Sequence, residues 1–241
     1  KKDLDALMQA RNLDAILVTG PGQHNPAMVY LTGGGHLTNA DLIKKCSEKA
    51  VLFHGPMERD EAAKSGLVTK SYSAYPFAEL LKTAYGNPLL ATVLRYRAML
   101  TDLGITAGKV ALYGQVDLGR GYALMRALEE WMPELSLVGY QEEDVLAAAM
   151  ATKGEDELAR IRRMGKITTE VVGRTAEFLS GHRVNNEVLV KQDGAALSVA
   201  DVKARINLWL AELGAENPEG TIFAIGHDAG VPHSSGNPAD L

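Results

Sequence analysis

The chain has 241 residues, 46% hydrophobic and 23% charged, with a formal net charge of −5. That is enough for one large domain or two ordinary ones with proper cores, and it excludes a disordered or low-complexity protein. A net acidic chain without a long basic run also excludes a nucleic-acid partner. Arg95, Arg97, Arg160, Arg162 and Arg163 fall on helical patterns and are assigned to solvated helix surface. The only cysteine, Cys46, allows no internal disulfide, which fits a reducing, cytoplasmic setting, and it is read as a small apolar residue. No apolar run nears the ~20 residues of a membrane span, and no signal core opens the chain. Its first residue is Lys1, so the chain is expected to start inside a longer reading frame.

Leu4, Leu7 and Met8 share one face and predict an opening helix. "AILVT" (15–19) predicts a strand closed by "GPG", and "AMVYLT" (27–32) a second strand closed by Gly33, Gly34 and Gly35. "KAVLFH" (49–54) reads as a third strand and "ERDEAAKSG" (58–66) as a short helix stopped at Gly66. A fourth strand is expected at "LVTKSYS" (67–73), then helical pattern from Pro76 to about Leu103. "KVALYG" (109–114) is the fifth strand. "RGYALMRALEEWMP" (120–133) is a helix ended before Pro133, and "LSLVGY" (135–140) the sixth strand. Strands alternating with helices predict an α/β domain over 1–150 with a mixed, partly parallel sheet.

The pattern changes from about Thr152. Leu158, Ile161, Met164, Thr168, Val171 and Val172 step by three or four, and Glu155, Asp156 and Glu157 crowd the first turn, where the helix dipole favours acid. This long helix should close at Gly181. A second helix is expected at "SVADVKARINLWLAELG" (198–214), with Ser198 as N-cap, Asp201 three residues on, and Val199, Val202, Ile206, Trp209, Leu210 and Leu213 as its buried face. "TIFAIG" (221–226) reads as a strand. One strand cannot satisfy its own backbone, so 151–241 is expected to be the first part of a larger α+β domain.

Candidate chemistry is sparse. "TGPGQHN" (19–25) has Gly20 and Gly22 after a strand but lacks the third glycine of a dinucleotide fingerprint, so a tight turn is preferred. "LTGGGHLTN" (31–39) is read as a flexible connection. The histidines are His24, His36, His54, His182, His227 and His233, with no H-E-x-x-H pair and no acidic calcium loop among them. His227 and His233 are six apart and do not share a helix face. Neither Ser234 nor Ser235 sits in a nucleophile elbow. What remains is His233 behind Pro232, whose fixed φ can hold the imidazole in one direction for proton transfer near neutral pH; the alternative, which the residues by themselves favour, is a solvent-facing loop histidine.

"TIFAIGHDAGVPHSSGNPADL" (221–241) resembles the first active-site strand and loop of the pita-bread metallopeptidases, which include aminopeptidase P, prolidase and, as a sister, creatinase. Gly226, Pro232 and His233 match an apolar strand, a glycine and then Pro-His. "ATKGEDELARIRRMGKITTEVV" (151–172) is similar to the helix that opens their catalytic domain, and "HNPAMVYLTG" (24–33) to an early strand of their N-terminal domain. The resemblance implies a creatinase-type N-terminal domain at 1–150 and a truncated pita-bread domain at 151–241. It implies cleavage of the amide bond before proline in peptides, with His233 contacting substrate and assisting proton transfer. It also implies a homodimer and two divalent ions (Mn, Co or Zn) held by carboxylates and a histidine that follow the Pro-His loop. Those ligands would lie past Leu241, so this fragment is expected to be inactive and to bind no catalytic metal. Two other readings stay open: a creatinase-type amidinohydrolase, and a metal-free peptidase-like binding module.

Overall fold

The computed structural model describes residues 3–141 and 144–241, in two compact units, Lys1–Thr152 and Lys153–Leu241. The first contains α1 (Leu4–Ala10), β1 (Ala15–Gly20), α2 (Pro26–Thr32), β2 (Ala40–Lys45), β3 (Val51–His54), α3 (Arg59–Ala63) and β4 (Val68–Ser71). It continues with α4 (Phe77–Thr83), α5 (Pro88–Asp102), β5 (Gly108–Gly114), α6 (Leu118–Trp131), β6 (Leu135–Val138) and α7 (Val145–Ala151).

Its strands form one sheet in the order β4-β3-β2-β1-β5-β6. β1 pairs antiparallel with β2 and β2 with β3, while β3–β4, β1–β5 and β5–β6 are parallel. The sheet is therefore mixed and partly parallel, as the alternation of strands and helices predicts. Both faces are buried. Ile16, Val18, Leu42 and Leu52 face α1, α2 and α7, whereas Ala15, Leu17, Ile43 and Phe53 face α5 and α6. This follows from the period of two along a strand: neighbouring residues of β1 enter opposite cores.

Several elements differ from the sequence reading. "AMVYLT" is the helix α2, started by Asn25, whose side chain accepts from the Met28 N–H, with Pro26 in the first turn. Helix α2 is buried nearly all round, so its apolar residues show no period to separate a helix from a strand. β2 was not anticipated, because Asp41 and Lys44 interrupt its apolar pattern; both are buried. The stretch 76–103 is two helices, parted by a turn with Tyr85 and Gly86 at positive φ. α7 was not foreseen either; Asp144 caps it by accepting from the Leu146 and Ala147 N–H groups. Cys46 packs against the first core, in keeping with its apolar role. Arg95 is not plain helix surface: its guanidinium lies 5.2 Å from the ring centre of Tyr72 and 4.7 Å from that of Phe77.

The second unit contains α8 (Glu155–Ser180), β7 (Arg183–Asn185), β8 (Val188–Val190) and α9 (Val199–Glu212). The 26 residues of α8 begin with the expected acidic turn and stop at Gly181. β7 and β8 form a hairpin through Asn186 and Glu187, both at positive φ, as a type I′ turn requires. Ser198 and Asp201 make the reciprocal cap the sequence predicts for α9. Val202 and Ile206 join Val171 and Leu197 in the core, with Trp209, Leu210 and Leu213 against them. Of the predicted stripe on α8, Val171 is buried while Ile161, Met164 and Val172 stay exposed. "TIFAIG" enters no β-ladder; the segment runs as coil.

Candidate functional site

Residues 223–240 form a closed loop tied to the start of α9. The carbonyls of Asp240 and Pro238 accept from the N–H groups of Val199 (2.9 Å) and Ala200 (3.1 Å), two donors of the first helical turn that have no partner within the helix. Lys203, one turn further along α9, donates to the carbonyl of Ser235 and, at 3.4 Å, to that of Gly236. The neck closes where the Phe223 N–H meets the Ser235 carbonyl at 3.3 Å. Gly236 makes this possible: its φ is +87°, and a Cβ there would stand 2.1 Å from the Phe223 oxygen. Inside the loop, the Asp228 carboxyl accepts from the Asn237 N–H at 3.0 Å.

His233 sits at the outer bend. The Ser234 N–H bonds to the Val231 carbonyl at 3.1 Å, so Val231–Ser234 is a turn with Pro232 second and His233 third. His233 has a φ of +63°. Proline followed by a positive-φ residue is the pattern of a type II turn, whose third position ordinarily goes to glycine or asparagine. A histidine is held there at a conformational cost, and backbone strain of this kind concentrates at functional positions. The imidazole is exposed. Nearby, His227 is also exposed, its Nδ1 3.7 Å from the Asp228 carboxyl.

The other histidines are elsewhere. His54 is buried and its Nδ1 lies 2.7 Å from the Gly55 carbonyl; His182 lies 2.6 Å from the Phe178 carbonyl and packs edge-on against the Phe178 ring. His24 and His36 are exposed in loops of the first unit. Among the described residues no group of three or more His, Cys, Asp or Glu side chains is placed to hold a metal ion. The described carboxylates and histidines therefore do not fit the two-ion set that the resemblance implies, and no chemical step is assigned through it. No described helix is long and apolar enough to cross a membrane.

No protein-family model and no curated protein sequence matches the chain. Solved structures do. A dipeptidase from Pyrococcus horikoshii OT3 is similar over all of this chain and 56% of its own, at 16% identity and a TM-score of 0.63. An X-Pro aminopeptidase from Thermotoga maritima MSB8 is similar over 99% of this chain and 56% of its own, at 16% identity and a TM-score of 0.60. The chain shares the fold of the pita-bread peptidases. A recombinant prolidase from Thermococcus sibiricus matches 92% of the chain with half of its own length, at 14% identity and a TM-score of 0.58. The chain thus spans little more than half the length of the peptidases it resembles.

Proposed function

We propose that these residues belong to an Xaa-Pro metallopeptidase, an aminopeptidase or dipeptidase that hydrolyses the amide bond before proline. In this reading 1–150 is the N-terminal α/β domain and 151–241 the beginning of the catalytic domain, with the ligands for two divalent ions outside these residues. The reading is supported by the likeness in fold to a dipeptidase and an X-Pro aminopeptidase across essentially the whole chain. It is supported locally by His233, held at positive φ behind Pro232. His233 is assigned to bind the substrate next to the scissile amide and to move a proton there; this is the one catalytic role given to the chain's own residues. The protein is assigned to the cytoplasm and to a homodimer, the first in line with its single cysteine.

The test uses the product of the gene extended to the length of the matched peptidases, loaded with Mn²⁺, Co²⁺ or Zn²⁺. Ala-Pro and Gly-Pro substrates should be cleaved, and His233→Ala should lower kcat by about 100-fold, the usual scale for a general acid or base. Metal-loaded protein that leaves these substrates intact overturns the reading. Creatine turnover in its place would establish the amidinohydrolase, and neither activity would leave a binding module.

A further inference from the structure

We infer that the first unit carries a second, separate ligand site: a two-lobed cleft at the carboxyl ends of β1 and β5, built for a small molecule with an apolar ring and an amine head. β1 and β5 are adjacent and parallel. The chain leaves β1 into α2, which packs on one face of the sheet, and leaves β5 into α6, which packs on the other. Chains that part this way open a crevice beyond the strand ends, the place where open α/β sheets bind ligands. Here the crevice has lobes of about 600 Å³ and 350 Å³, within the range of small-molecule sites. Thr19 and Gln115 line both lobes.

The floor is closed by two glycines. A Cβ on Gly114 would stand 1.9 Å from the Thr19 oxygen, and one on Gly20 2.3 Å from the Gln115 oxygen; both residues have positive φ. Only at this separation does the Gln115 N–H reach the Thr19 carbonyl, at 3.1 Å. The larger lobe is apolar, walled by Leu112, Val116, Leu118 and Tyr122. Val116, Leu118 and Tyr122 are exposed, so an aromatic or aliphatic body laid on them removes apolar area from water.

The smaller lobe fixes the head group. Tyr96, 6% exposed, lies on its wall and donates its only hydroxyl proton to Asp41 at 2.6 Å. The Thr19 hydroxyl is 3.2 Å from the same phenol oxygen, so Thr19 must be the donor in that bond. Tyr72 donates to the other Asp41 oxygen at 2.6 Å. This chain of hydrogen bonds runs one way, from Thr19 through Tyr96 to the negative charge of Asp41, and leaves Thr19 Oγ1 with lone pairs and no proton toward the cleft. It selects a donor. An ammonium group satisfies Thr19 Oγ1, whereas a carboxylate brings lone pairs against lone pairs. Arg120 and Asp117 also line this lobe, a cation and a carboxylate that offset one another toward an ionic head group, and the Asp117 carboxyl accepts from the Arg120 N–H at the start of α6, so the discrimination rests on Thr19 Oγ1.

The experiment is a two-dimensional NMR titration of the 241-residue chain with tryptamine, and in parallel with indole-3-propionate, which has the same ring system and an acidic head. Tryptamine should shift the amides of Thr19 and of residues 112–122 selectively and bind more tightly than the acid. Thr19→Val, which keeps the shape and removes the acceptor, should weaken tryptamine about tenfold, as for loss of one charged hydrogen bond. Tyr122→Ala, at an exposed position, should weaken both ligands and cannot be dismissed as a folding defect. His233→Ala should change neither affinity, which separates this site from the proposed peptidase site. Scattered shifts, equal or tighter binding of the acid, or unchanged affinity in both variants would overturn the inference.

Discussion

In residues 3–152 a six-stranded sheet is covered by helices on both faces, and the largest core side chains, among them Phe53, Leu42 and Met99, are wholly buried. In residues 153–241 two helices and a two-stranded hairpin enclose a cluster of four buried side chains, Val171, Leu197, Val202 and Ile206. Apolar residues such as Ile161, Val184 and Ile222 stay in contact with water. The contrast shows what carries structure in each. The first unit rests on apolar burial on both faces of a sheet held between two layers of helices. The second rests to a larger degree on local devices: the Ser198–Asp201 cap, the type I′ hairpin, Gly236 at the loop neck and the Lys203 tether.

Core truncation is the strongest way to break that comparison. Phe53→Ala should cost about 3–5 kcal/mol, because a rigid two-sided core cannot collapse into the space left. Ile206→Ala should cost about 2 kcal/mol, the low end for such a change, since its smaller cluster can relax toward solvent. Denaturant unfolding of each variant measures both. Equal losses would show that the second unit is as tightly packed as the first.

The same contrast explains what was legible in the sequence. β1, β3, β5 and α9 declare themselves because their own residues satisfy the pattern. β2 does not, since its Asp41 and Lys44 make sense only with partners 31 to 55 residues away for Asp41, at Tyr72 and Tyr96, and 39 residues away for Lys44, at Asp5. The Thr19–Tyr96–Asp41 relay was invisible for that reason: its members come from three elements. Helix α2 reads as a strand although Asn25-Pro26 is an N-cap and first-turn signal, because burial of most of its residues erases the helical period. At the loop the Pro-His pair stood out as a motif, while the positive φ of His233 needed coordinates.

That φ gives a smaller and sharper prediction, of opposite sign. His233→Gly removes a side chain that touches the left-handed region at a cost, so it should raise stability by about 1 kcal/mol in thermal or denaturant melts. In the extended, metal-loaded protein the same change should abolish the catalytic gain assigned to the imidazole. Stability rising while activity falls marks a strained functional residue. Stability falling would mean the ring packs for structural reasons.

The smallest effect separates the units by pH. In the second unit, hydrogen bonds from the Ser198 backbone and side chain, with one from Lys191, hold Asp201 down at a pKa of about 2, below its ordinary 3.8. A carboxyl depressed on folding stabilises above its unfolded pKa, and the contribution fades as pH falls from about 4 through about 2. Asp201 is over a third exposed, which limits the worth of the cap to about 1 kcal/mol. Asp201→Asn should therefore destabilise at pH 7 and converge with the wild type near pH 2. In the first unit the direction reverses: burial, then the charge and hydrogen bond of Asp41, push the Tyr72 and Tyr96 phenols above their ordinary 10. Groups raised on folding stabilise below their unfolded pKa and lose that contribution as pH climbs above it. Hydrogen exchange should accordingly show α9 opening first in acid and the β1–β2–α5 region first in alkali, and loosening of both units together at either extreme would erase the distinction drawn between them.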